Sequence, residues 1–158
     1  MGLDNAGKTT ILKALMGETC TNLPPTKGFG FQKFQFNEVT FSVWDLGGQK
    51  SIRSLWENYY QQSDLLIYVI DSSDSYRLEE TGNELYSILQ QPELSGIPIL
   101  IYANKQDLNL SLSPDEIIES LNLTRIVDRK WTIVACSALT KQGLISGLTW
   151  ATKCIKRK

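Results

Sequence analysis

The sequence predicts a three-layer α/β domain with a mostly parallel sheet, and three observations carry that prediction. Continuous apolar runs, "DLLIYVID", "IPILIYANK" and "WTIVACSA", have the length and composition of strands covered on both faces. Helical patterns separate them, as repeated strand-helix units require. At the start of the chain, "GLDNAGKTT" is a glycine-rich loop that opens directly into a helical pattern.

The elements follow in order. After the loop, Ile11, Leu12 and Leu15 recur at helical spacing. The polar stretch "GETCTNLPPTKG" predicts an exposed loop. Phe29, Phe31, Phe34 and Phe36 lead into a turn near Asn37 and Glu38, and "VTFSVWDL" returns from it, so an antiparallel hairpin is expected beside the parallel strands. In "SPDEIIESL", Ser113 caps a helix, Pro114 suits its first position and Glu116 completes a capping box. The last helix, around "GLISGLTWATKCI", assigns Leu144, Ile145, Leu148 and Ile155 to one stripe. With 158 residues, no internal repeat and no long linker, one domain over residues 1–158 is expected.

Only Met1 precedes the glycine-rich loop, where such a fold has a strand in the middle of its sheet. The expectation is a chain truncated at its N-terminus, with unpaired strand edges and an open slot in the core.

Composition excludes several function classes. A net charge of −1 argues against binding nucleic acid by bulk electrostatics, and Lys156 to Lys158 read as a solvated helix end. No apolar run approaches the roughly 20 residues that span a bilayer. The three cysteines, Cys20, Cys136 and Cys154, have unrelated spacings and read as reduced thiols in a cytoplasmic protein, with no metal site among them. Histidine is absent, which removes Ser-His and Cys-His catalysis. Ala6 stands where myristoylation of Gly2 needs Ser or Thr, and the C-terminus lacks a prenylation cysteine.

The chemistry lies in an ordered set of motifs. Gly2, Gly7, Lys8 and Thr9 form G-x-x-x-x-G-K-T, whose backbone from Asp4, Asn5 and Ala6 through Thr10 can turn N–H groups toward phosphate oxygens. Lys8 can reach the β and γ phosphates, and the Thr9 hydroxyl can coordinate Mg²⁺. In "WDLGGQ", Asp45 closes an apolar run, where a carboxylate holds Mg²⁺ through water. Gly48 leaves the backbone free to donate an N–H to a γ-phosphate, and Gln49 is placed to orient an attacking water.

"NKQD", from Asn104 to Asp107, follows a strand. A carboxylate at Asp107 can accept from the N1–H and exocyclic amine of guanine, which adenine does not offer in that arrangement. Asn104 and Lys105 would support the loop and cover the base, and the backbone of Ser137 and Ala138 in "CSAL" could contact the guanine carbonyl. Each motif alone is an ordinary turn or surface tetrapeptide. Their order, with a lone Thr26 between the first two and each at a strand end, points to a guanine-nucleotide site. An ATP-dependent kinase shares the phosphate loop but fails on "NKQD" and lacks an acceptor lid. A non-hydrolysing interaction module is the remaining alternative, with the missing strand in its favour and the intact Gln49 against it.

"GLDNAGKTT", "PTKGFGF", "VWDLGGQ" and "ANKQDL" are worded as in Arf-like small GTPases, which the chain resembles over essentially its whole length. The resemblance implies a switch between GTP and GDP, with Thr26 joining Thr9 and Asp45 at Mg²⁺. It also implies a hairpin, about Phe29 to Trp44, that slides in register between states, by an even number of residues if its faces are to be kept. Phe29, Trp44 and Tyr59, with Trp56 and Tyr60 beside them, map onto a surface where effectors dock. Hydrolysis through Lys8 and Gln49 should be slow, because no arginine lies in the phosphate loop or beside "PTKG". An activating protein supplying one would add roughly 10³- to 10⁵-fold. An exchange factor, an activating protein and effectors carrying lipid-modified cargo are the implied partners, in a ciliary or flagellar setting. The family's N-terminal amphipathic helix has no counterpart in the sequence, so membrane contact is expected only if the intact protein has one. Lys27 and Gly30 depart from the family's commoner choices.

Overall fold

The computed structural model of the chain describes residues 1–17, 29–61 and 63–156, with the side chains of Phe29 and Lys156 outside that description. Helix α1 (Lys8–Leu15) begins at Gly7, whose φ of 100° is a conformation that suits glycine. Strands β1 (Phe29–Phe36) and β2 (Val39–Leu46) form the expected hairpin, in register from Phe29 opposite Leu46 to Phe36 opposite Val39. Its two-residue turn places Asn37 and Glu38 at φ 49° and 66°. Two left-handed residues give a turn whose twist matches that of the flanking strands.

Three parallel strands form the main sheet in the order β3 (Leu66–Asp71), β4 (Ile99–Asn104), β5 (Trp131–Ala135). The central strand, β4, is buried at every residue, as its uninterrupted apolar run requires. Ile99 and Ile101 turn to one face of the sheet and Leu100 and Tyr102 to the other, by the period of two. The first face packs on α2 (Leu78–Leu89) and α3 (Pro114–Leu121) through Leu85, Ile88 and Ile117. The second packs on α1 and α4 (Leu144–Lys156) through Ile11, Leu144 and Ala151. The three layers are therefore helix pair, sheet, helix pair.

Polar anchors fix the helices on the sheet. The Tyr102 hydroxyl donates to the Leu144 carbonyl at 2.7 Å, and that of Tyr68 to the Thr81 carbonyl at 2.9 Å. The capping box at Ser113 and Glu116 is formed, with Pro114 as first helical residue. The stripe of α4 differs from expectation in one residue. Leu144, Leu148, Ala151 and Thr152 are buried, whereas Ile145 is 56 % exposed, because it sits one helical step of about 100° from Leu144. Among the described residues, no helix is long and apolar enough to cross a membrane.

The hairpin and the parallel strands are two separate sheets. Between β2 and β3 lies an open groove of about 430 Å³, lined by Ile11, Leu15, Phe41, Val43, Ile67 and Val69 among others. Met1 occupies one rung of it as a parallel strand would, its amino group donating to the Ile67 carbonyl at 2.6 Å and its carbonyl accepting from Val69 N–H at 2.8 Å.

Ile101, fully buried in β4, is the place to test the core. Ile101→Ala should cost about 2–5 kcal/mol in denaturant unfolding, while Ile145→Ala on the exposed face of α4 should stay within about 0.5 kcal/mol.

Candidate nucleotide site

The phosphate loop is built from left-handed residues. Gly2, Asn5 and Gly7 have φ of 143°, 65° and 100°, which bends the chain into a tight cradle before α1. A Cβ at Gly7 would lie 2.3 Å from Asn104 Nδ2, and one at Gly2 would lie 2.3 Å from the Val69 carbonyl oxygen, so neither position has space for a side chain. The N-terminus of α1 faces the cradle, where its dipole and N–H groups favour an anion.

Lys8 turns its amine back over this loop and donates to the Leu3 carbonyl at 2.9 Å. Burial pushes its pKa down to about 8, against the opposing pull of Asp45 and Asp4. The Thr9 hydroxyl donates to Asp45 Oδ2 at 2.6 Å. A hydroxyl and a carboxylate side by side are hard oxygen donors of the kind that would suit Mg²⁺. Thr10 lies in the first turn of α1. Thr26 lies outside the described residues.

Strand β2 delivers Asp45 and then turns through Gly47 and Gly48 onto the phosphate loop. Asp4 N–H donates to the Gly48 carbonyl at 3.1 Å. A Cβ at Gly48 would lie 2.3–2.4 Å from backbone atoms of Gly2, Leu3 and Asp4, so only glycine permits this approach. Gln49 follows, partly exposed, and starts a 3-10 helical segment over Lys50–Tyr59. Such long 3-10 runs are uncommon. Two buried side chains of this run hold the loop: Arg53 Nε donates to Gly48 O and Trp56 Nε1 to Gly47 O, each at 2.8 Å.

That placement corrects the sequence expectation for Trp56. It is 1 % exposed and faces the Gly47 backbone, so it supports the site from beneath and takes no part in a partner surface; Tyr60 is buried as well. Trp44 is 50 % exposed and stands between Phe31 and Tyr59, with ring centroids 4.7 and 5.1 Å away. The side chain of Phe29 is outside the described residues. Phe31, directly opposite Trp44 in the hairpin and 46 % exposed, is the aromatic residue that sequence reasoning left out.

The base side is organised by Asn104, the last residue of β4 and 2 % exposed. Its Nδ2 donates to the Ala6 carbonyl at 2.8 Å, and its Oδ1 accepts from Ala138 N–H at 3.0 Å. One amide thus ties "NKQD" to both the phosphate loop and "CSAL". Asp107 accepts from the Ser137 hydroxyl at 2.7 Å, and Lys105, at φ 66°, pairs with Asp71 Oδ2 at 2.8 Å. Asp71 closes β3 and carried no signal of its own in the sequence. Cys136 beside this loop is buried, which pushes its thiol up to about 12 and leaves it unreactive.

Fold and site together define a small GTPase: the D-x-x-G loop leaving β2 and the N-K-x-D loop leaving β4 both close on the phosphate loop at the start of α1. The solved structure of the Arl6 BBS3 small GTPase from Trypanosoma brucei, with bound nucleotide analogue GppNp, superposes with a TM-score of 0.90 at 35% identity, covering 99% of this chain and 94% of that one. The chain belongs to the ADP-ribosylation factor family, whose model matches residues 1–155. It is 52% identical to ADP-ribosylation factor-like protein 3 of Chlamydomonas reinhardtii over 99% of this chain and 88% of that protein. ADP-ribosylation factor-like protein 3 of Caenorhabditis elegans is 48% identical over 99% and 85%, and ADP-ribosylation factor-like protein 2 of Dictyostelium discoideum 44% over 97% and 83%. Membership carries guanine-nucleotide binding and the GTPase class with it.

Asn104→Ala would leave the Ala6 carbonyl and the Ala138 N–H without their partner in a buried setting. It should cost about 2 kcal/mol or more of stability in denaturant unfolding and raise hydrogen exchange at Ala138, well away from the substitution in sequence.

Proposed function

We propose that the chain is a molecular switch that binds GTP and GDP with Mg²⁺, hydrolyses GTP slowly and engages effectors in the GTP state. The observation that carries this is the Asn104 amide, which bonds two other motifs at once and so brings the phosphate cradle and the base-reading loop to a fixed separation. Asp107, aligned by Ser137, has a carboxylate available to read the two donors on the guanine edge. Lys8 and the first turn of α1 would hold the phosphates, and Thr9 and Asp45 would hold Mg²⁺, which neutralises phosphate charge when bound. Gln49, next to the docked Gly48, is the residue to orient water. Slow hydrolysis follows from the arginine inventory: among the described residues Arg77 and Arg53, the arginines paired with the phosphate loop, are committed to Asp4, Glu80 and Glu84.

Effector binding is assigned to exposed Phe31 and Trp44 with half-buried Tyr59 beside them, whose aromatic surface suits a protein partner. Exchange and activating proteins would act on the same loops. Likeness to ADP-ribosylation factor-like protein 3 supports effectors that carry lipid-modified cargo, in a cytoplasmic and ciliary or flagellar setting, with membrane association.

The test is the nucleotide content of the chain purified without added nucleotide, followed by displacement with GDP, GTP and ATP. Near-stoichiometric guanine nucleotide that ATP does not displace is the expected result; an empty chain, or equal displacement by ATP, overturns the proposal. The pH dependence follows from Lys8. Its amine is charged below about 8 in the free chain and must be charged to hold phosphate, so affinity should be flat below that pH and fall as pH rises above it. Trp44→Ala should abolish GTP-dependent capture of effectors in a pull-down while leaving nucleotide affinity unchanged.

A further inference from the structure

The 3-10 segment carries one buried charge, Arg53, which is only 7 % exposed. Its Nε–H donates to the Gly48 carbonyl at 2.8 Å, and its Nη1 pairs with Glu80 at 2.9 Å and Glu84 at 3.1 Å on α2. Nη2 is buried without a hydrogen bond, 3.6 Å from Asp4 Oδ1. Arg77 closes the ring, with 2.6 Å to Asp4 Oδ1, 3.2 Å to the Asp4 carbonyl and 2.9 Å to Glu80. Two guanidinium groups and three carboxylates therefore join the phosphate loop, the Gly47–Gly48 turn and α2.

Apolar packing would hold the 3-10 segment at less cost than a desolvated guanidinium with one unsatisfied nitrogen. What Arg53 does that an apolar side chain cannot is hold a carbonyl. The oxygen of Gly48 is gripped from two sides, by Arg53 and by Asp4 N–H at 3.1 Å. That double grip fixes the Gly48–Gln49 peptide plane and keeps the turn down on Leu3 and Asp4, where a Cβ would not fit. On the nucleotide reading, a terminal phosphate held by Lys8 would meet the turn only while the turn lies there. A diphosphate makes no demand on it. An interaction that one ligand needs and the other ignores shifts the balance between them.

We propose that Arg53 is a positioning residue that keeps the Gly48–Gln49 turn docked on the phosphate loop and so favours the triphosphate over the diphosphate. It acts through the Gly48 carbonyl, with Glu80 and Glu84 holding its guanidinium in line. This inference rests on the guanine-nucleotide reading given above.

The experiment measures affinities for GDP and for GppNp, with Mg²⁺, on the full chain and on Arg53→Gln, Arg53→Lys and Glu84→Gln. Arg53→Gln should lower the GppNp affinity about tenfold relative to that for GDP. Arg53→Lys, which keeps the charge facing Glu80 and Glu84, should recover part of the ratio. Glu84→Gln, which removes one anchor and leaves Arg53 in place, should shift the ratio the same way by less. Hydrogen exchange gives a readout without nucleotide: Asp4 N–H should exchange faster in Arg53→Gln. Equal loss of affinity for both nucleotides, or an unchanged ratio, would show that Arg53 only supports the fold. Should Arg53→Gln not fold, the Glu84→Gln ratio decides. A parent chain that binds neither nucleotide brings down the reading beneath, and this inference with it.

Discussion

Everything at the site hangs from the buried amide of Asn104. Its two bonds reach across 98 residues of sequence to Ala6 and across 34 to Ala138. A side-chain amide in so dry a place must find both a donor and an acceptor, or the desolvation cost stands uncompensated. Here the two partners belong to two different loops, so satisfying one side chain is the same event as assembling three motifs. The rigidity comes from β4, which is fully buried and flanked on both sides by parallel strands. The site inherits the stiffness of the core at that one point.

Away from Asn104 the site is held by charge and by closeness. Gly48 touches the phosphate loop because it carries no Cβ at the contact, and Arg53 and Trp56 clamp the turn from below. These bonds all end on backbone carbonyls, so they constrain the path of the chain while leaving side chains such as Gln49 free to act. The contrast with Asn104 is one of permanence. A buried amide with both partners met resists change, whereas a carbonyl shared between two donors can be given up by degrees.

Much of this was legible in the sequence, for physical reasons. The central parallel strand announces itself because burial on both faces demands an uninterrupted apolar run, and "ILIYAN" is buried throughout, whereas β5, expected to be covered on both faces as well, lies at the sheet edge and is only half-buried. The hairpin turn was readable from its place between two strand patterns, and the helix start at Ser113 from residue types that can meet the free N–H groups. Ile145 was misplaced because a pattern counted in residues does not resolve adjacent positions at a stripe's edge. Trp56 was placed on the surface for a related reason: an aromatic residue does not say whether it faces inward, and only the docking of the 3-10 segment against Gly47 decides it. Arg53 was illegible. In "KSIRSLWENYY" it reads as one more solvated charge, and its carboxylate partners lie 27 and 31 residues further on.

The break between β2 and β3 has a mechanical consequence. In a continuous sheet, moving one strand past its neighbour means breaking every ladder bond between them at once. Among the described residues no ladder bond joins the hairpin to the parallel strands, and what separates them is a groove. The hairpin's internal register, eight residue pairs long, is by contrast fully bonded. The two strands therefore form a stiff slat, bonded to each other rung by rung and meeting the parallel strands through packing.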